Sequence, residues 1–72
     1  MIEVTRLNEQ KFMINAIYIE KVEALPDTTI TLINGKKYFV RESVGDISNK
    51  IVNFYKQIGF NELAKKVVIQ DE

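Results

Sequence analysis

Between Pro26 and Arg41 the chain reads PDTTITLINGKKYFVR, two runs of strand-forming residues joined at Asn34-Gly35. Asn-Gly flanked by such runs is the strongest short-range signal for a β-hairpin, and it limits a small chain to folds built around that hairpin. Parity then selects the turn. A two-residue loop would place Ile30 opposite Phe39 and send Tyr38 and Val40 to the face away from Ile30 and Leu32. A three-residue loop puts Ile30, Leu32, Tyr38 and Val40 on one face, with Gly35 as the left-handed residue of a type I turn plus G1 bulge. The bulged turn is therefore expected. The other face then carries Thr29, Thr31, Ile33, Lys37, Phe39 and Arg41, and Ile33 and Phe39 make it too apolar for a plain solvated face.

Glu42-Ser43 ends the second run. Ser43-Val44-Gly45-Asp46 resembles a capping box with Asp in place of Glu or Gln, so a helix starts here. Val44, Ile47, Ile51, Phe54, Tyr55 and Ile58 follow steps of three and four and form one apolar stripe. Ile51 and Phe54 are expected at its centre. Gly59 suits the left-handed position that ends a helix. Residues 60–72 form a tail that is either a second short helix capped by Asn61 or a helical turn followed by a brief strand.

Upstream, Ile2, Val4 and Leu7 lie in a β-rich opening, Asn8-Glu9-Gln10 is turn-like, and Phe12-Met13-Ile14 resumes an apolar run, which together predict an N-terminal hairpin. After Asn15-Ala16, the segment Ile17 to Leu25 either continues as a strand or begins with one helical turn. Pro26-Asp27 breaks it, because Pro has no N–H to donate and Asp bonds its own backbone in turns. The expected fold is α+β: one domain over residues 1–72, with a small antiparallel sheet of four or five strands (about 1–42) packed against one amphipathic helix (about 44–58) and a short helical or extended tail (60–72).

Function classes narrow with composition. The 72 residues contain no Cys and no His, which removes disulfides, thiolate chemistry and imidazole ligands or proton shuttles. No enzymatic activity and no cofactor are expected. Lys and Arg number 10 against 10 Asp and Glu, giving a net charge of zero that disfavours nucleic acid as a partner. No signal-peptide pattern or long apolar run is present, so the expected location is the cytoplasm.

Individual residues invite sharper readings. Lys36, Lys37, Tyr38 and Arg41 would make a basic, aromatic-bearing hairpin for phosphate, although lysines at a hairpin tip commonly just discourage edge-to-edge pairing. Glu20, Glu23 and Asp27 are spread along a strand and turn with no ligand spacing, which fits a solvated surface better than a metal site. Ser43 without any His suits a cap better than a nucleophile. Surplus apolar residues favour a surface for protein partners. Ile33, Lys36, Lys37, Phe39 and Arg41 on the hairpin, with Leu63, Val67 and Val68 in the tail, form the candidate interaction surface, and a homo-oligomer is expected to bury part of it.

The opening MIEVTRLN, Ile19-Glu20, and the central PDTTITL with NGKKY resemble the FlbD/SwrD family of small bacterial flagellar proteins. The resemblance covers roughly the first two-thirds of the chain. Its most specific element is the ordered pair RLN and PDTTITLxNGKKY. Glu9 departs from the pattern, which usually has Gly after this Asn, and leaves the geometry of the first turn open. The resemblance implies a cytoplasmic protein that supports motor power and swarming without specifying which component it acts on; motor or stator cytoplasmic segments are the expected partners, and the expected place is peripheral at the flagellar motor. It implies no catalytic residue. Ile17-Tyr18-Ile19-Glu20, Lys36-Lys37-Tyr38 and Arg41-Glu42-Ser43-Val44 are also similar to part of LytTR-type DNA-binding domains. Those are longer and more basic, so a DNA-binding or regulatory module ranks second.

Overall fold

The computed structural model describes residues 1–59. Strands β1 (Ile2–Thr5) and β2 (Lys11–Ile14) form an antiparallel hairpin, and β3 (Ile19–Ala24), β4 (Thr28–Leu32) and β5 (Lys37–Val40) form a separate antiparallel sheet in that order. Helix α1 (Val44–Ile58) follows, with the bounds its periodicity predicts, and packs on β1 and β3. The fold is α+β.

The expected single sheet is divided in two. The division has a local cause. A turn of 3-10 helix at Ala16–Tyr18 redirects the chain after β2, so β3 pairs with β4 instead of continuing beside β2. Asn15 caps that turn by accepting a hydrogen bond from the Ile17 N–H at 3.1 Å. The sheets meet at one isolated bridge, Arg6 to Val40, beside which the Arg41 N–H donates to the Thr5 carbonyl at 2.8 Å.

Register decides what each sheet buries. In the first hairpin Ile2 opposes Ile14 and Val4 opposes Phe12, so these four share the inner face. In the second sheet Ile30 opposes Tyr38 and Thr28 opposes Val40, the pairing that the bulged turn requires. A register shift between Ile19 and Lys21 marks a bulge in β3. Ile19 and Val22 are three residues apart and would otherwise face opposite ways; the extra residue, Glu20, brings both to the inner face.

Ile2, Val4, Ile14, Ala16, Ile30, Val40 and Ile47 form the buried core, with Ile51 and Phe54 packed half-buried against it. The helix is thus centred on Ile47 and not, as its stripe suggested, on Ile51 and Phe54. Ile47 lies one turn from the N-cap, close to where the helix meets the strands. Full burial of a side chain such as Ile30 or Ile47 contributes about 1.5–3 kcal/mol. Ser43 acts as the N-cap, its Oγ accepting from the Asp46 N–H at 3.0 Å, and Gly59 leaves the helix at φ +92°.

Candidate interaction surface

The β1–β2 and β4–β5 hairpins turn through the same kind of three-residue loop. At the first, the Arg6 N–H donates to the Gln10 carbonyl at 2.8 Å and the Glu9 N–H to the Arg6 carbonyl at 2.9 Å. At the second, the Leu32 N–H donates to Lys36 and the Gly35 N–H to Leu32, each at 2.8 Å. Asn8 and Asn34 each accept from the N–H two residues on at 3.0 Å. The left-handed position is Gly35 at φ +90° in the central turn and Glu9 at φ +77° in the first. The departure at Glu9 therefore changes the residue and not the turn.

Each loop opens with an exposed apolar residue, Leu7 or Ile33, and each gathers neighbours. The Ile33 N–H donates to the Tyr18 carbonyl at 2.9 Å, which holds the 3-10 turn against the hairpin tip. Tyr18, Leu32, Ile33 and Asn34 line a recess of about 210 Å³ there. Ile33 is 66% exposed and Tyr18 52% exposed, with Ile17 beside Tyr18 in sequence also exposed. The recess itself has no charged lining residue.

The second cluster lies at the outer edge of β5. Arg6, Leu7, Asn8, Lys37, Tyr38 and Phe39 line a recess of about 300 Å³. The Arg6 guanidinium sits 4.2 Å from the centroid of the Phe12 ring and 5.5 Å from that of Tyr38. The two rings lie 5.2 Å apart at 47°. Cation–π attraction orients the guanidinium against these faces. Phe39, on the opposite face, is 49% exposed.

The residues singled out from sequence separate accordingly. Ile33 and Lys36 lie at the tip, and Lys37, Phe39 and Arg41 run along β5 away from it. Lys37 Nζ donates to Thr31 Oγ1 at 3.1 Å and helps cover that buried threonine. Arg41 is tied to the first turn, with Nε 3.1 Å from Glu9 Oε2 and a guanidinium N–H donating to the Leu7 carbonyl at 3.0 Å. Leu63, Val67 and Val68 lie outside the described residues. Arg6, Leu7 and Tyr18 join the surface although their sequence neighbourhood did not nominate them. The apolar opening residue of an Asn-containing loop is the signal that Leu7 shares with Ile33.

Glu42 makes a two-point polar link to Thr5. It accepts from the Thr5 N–H at 2.9 Å and from the Thr5 hydroxyl at 2.8 Å. Burial pushes its carboxyl up, but the Thr5 donors, its own N–H and the charge of Lys50 outweigh this and hold it below its ordinary value. The carboxylates considered as a metal site are not assembled: Glu23 pairs with Lys21 at 3.5 Å, and no group of three or more metal-ligating side chains occurs among the described residues. No helix among them is long and apolar enough to cross a membrane.

Two antiparallel sheets, joined at one bridge and packed on a single helix, define a small α+β protein that exposes apolar side chains at several of its turns. The model of the FlbD family, described as flagellar and swarming motility proteins, matches residues 1–59. The chain belongs to that family. No match was found among curated proteins or among solved structures.

Proposed function

We propose that this protein supports flagellar motor power during swarming by binding, without catalysis, to cytoplasmic segments of the motor or stator. It acts in the cytoplasm, peripheral at the motor. The observation that carries this reading is the pair of exposed apolar clusters, Tyr18 with Ile33 at the tip and Leu7 with Phe39 beside β5. A domain this small has little apolar surface to spare from its own core, and leaving these side chains exposed fits a binding role. The apolar recess at the tip joins two copies of the chain, and the edge of β5 takes the partner.

Sedimentation and pull-down test the two halves of this reading. Ile33→Asp should yield a monomer at micromolar concentration where the parent chain is an oligomer. Phe39→Ser should weaken capture by purified motor or stator cytoplasmic segments and reduce swarming while the thermal midpoint stays near that of the parent. Normal swarming with both variants would overturn the binding surface. Loss of swarming from Glu20→Ala, Asp27→Ala or Ser43→Ala at unchanged stability would argue for catalysis instead. DNA binding with a steep salt dependence would favour the regulatory alternative.

A further inference from the structure

The outer edge of β5 is only partly closed. In an antiparallel ladder, successive residues alternate between pairing with the neighbouring strand and pointing their N–H and C=O away from it. Leu32 bonds Lys36, so Lys37, Phe39 and Arg41 are the residues whose backbone faces away from β4. The Arg41 N–H uses that direction to reach Thr5. At Arg6 the first hairpin turns off through Leu7 and Asn8, and no described backbone group pairs with Lys37 on that side. The recess of about 300 Å³ is the space left where the two sheets part.

Charge on this edge is unbalanced. Arg41 pairs with Glu9 and Lys21 with Glu23, whereas among the described residues no carboxylate lies within ion-pair distance of Arg6, Lys36 or Lys37. Arg6 is held by two rings and not by an anion, so its planar set of donors is oriented in advance for a carboxylate. Arg6 opposes Val40 in register and lies on the inner face with Tyr38; Leu7 and Phe39 lie on the other face. A strand laid beside Lys37 would send adjacent side chains to these two faces.

From this we infer that the open edge of β5 binds an extended acidic segment of a partner protein by strand addition. One carboxylate pairs with Arg6, and the adjacent apolar side chain rests between Leu7 and Phe39. The backbone of Lys37 supplies the main-chain hydrogen bonds, as in other complexes formed at sheet edges. The inference rests on the reading that the chain acts by binding protein, and it adds the chemistry of the bound segment.

The test is fluorescence anisotropy of the full chain with a labelled peptide of alternating Asp and Val, beside the same peptide with Asn for Asp. The acidic peptide should bind at least tenfold more tightly, and added salt should narrow the gap. Arg6→Gln should remove most of that preference. Lys37→Pro deletes an N–H that the fold does not use, so it should weaken binding more than Lys37→Gln does. Equal affinity for the two peptides, no binding, or equal effects of Lys37→Pro and Lys37→Gln at retained secondary structure would overturn strand addition by an acidic segment. So would tighter binding of a single-stranded DNA oligonucleotide. Acidic-peptide binding that persists while Phe39→Ser swarms normally would uphold this site and remove the motility reading instead.

Discussion

The loops Leu7-Asn8-Glu9 and Ile33-Asn34-Gly35 share their hydrogen bonds and their asparagine, yet differ at the residue that must adopt positive φ. Gly35 takes φ +90° without a Cβ to clash, and the space around it is open. Glu9 takes φ +77° with a full side chain, at a cost of about 1–2 kcal/mol. What the first turn receives in return is a tether: Arg41 pairs with the Glu9 carboxylate and also donates to Leu7. A strained residue in one hairpin thus helps fasten the edge of the other. Glycine makes the cheaper turn, and glutamate makes a turn that is attached to something.

Truncating what stands behind each turn gives the largest expected effect. Ile30, buried at the centre of the second sheet, should cost about 2–5 kcal/mol on replacement with Ala. Val4→Ala in the first hairpin should cost less, in proportion to its fewer methyl groups. Denaturant midpoints for the pair would show whether the two sheets carry comparable shares of the core; a larger loss for Val4→Ala would reverse their ranking.

Next in size is Gly35→Ala, which meets no atom within 4 Å and so reports backbone strain alone, about 1–2 kcal/mol of destabilisation in thermal unfolding. Glu9→Gly is the reciprocal change. It relieves similar strain while losing an exposed ion pair worth about 0–1 kcal/mol, and it gives the unfolded chain more freedom. A net gain below about 1 kcal/mol is expected. If stability falls instead, the tether to Arg41 is stronger than an exposed pair ordinarily is.

The smallest effect separates the hairpins by pH. Only the first is linked to Glu42, through the N–H and hydroxyl of Thr5. Because the folded carboxyl titrates below its ordinary value of 4.5, its contribution is present above that pH and is lost as the pH falls through the lower folded value. Thr5→Val removes the hydroxyl donor and should raise the Glu42 pKa in an NMR titration. It should also weaken the acid dependence of stability. An unmoved pKa would mean that the backbone N–H and Lys50 are sufficient.

Local patterns made the second turn and the helix legible. Alternation in PDTTITLINGKKYFVR requires an odd-length loop to keep Ile30, Leu32, Tyr38 and Val40 together, Asn34-Gly35 favours the three-residue one, and Ser43 and Gly59 bracket one apolar stripe. The first turn was harder, because glutamate does not advertise positive φ as glycine does. The bulge at Glu20 and the division into two sheets depend on which strands meet, which strand propensity does not specify. On the candidate surface, Ile33 and Phe39 were visible as apolar residues on the wrong face. Arg6 was not, since its place over Phe12 and Tyr38 follows from a bridge to Val40, 34 residues away. The centre of the helix moved to Ile47 because burial depends on what the helix meets as well as on its own period.

That bridge between Arg6 and Val40 has a consequence for the order of events during synthesis. Each hairpin closes through a short loop and can form soon after its own residues are made. The link from Thr5 to Glu42 spans 37 residues, and the core still lacks Ile47 when Val40 appears. Closing so long a loop is entropically unfavourable until the contacts beyond it can compensate. The first hairpin can therefore close early but stays incompletely packed while most of the described chain is translated. Ile47, in the first turn of α1, completes that core, so full packing of the first hairpin is expected only after the helix N-terminus has been made.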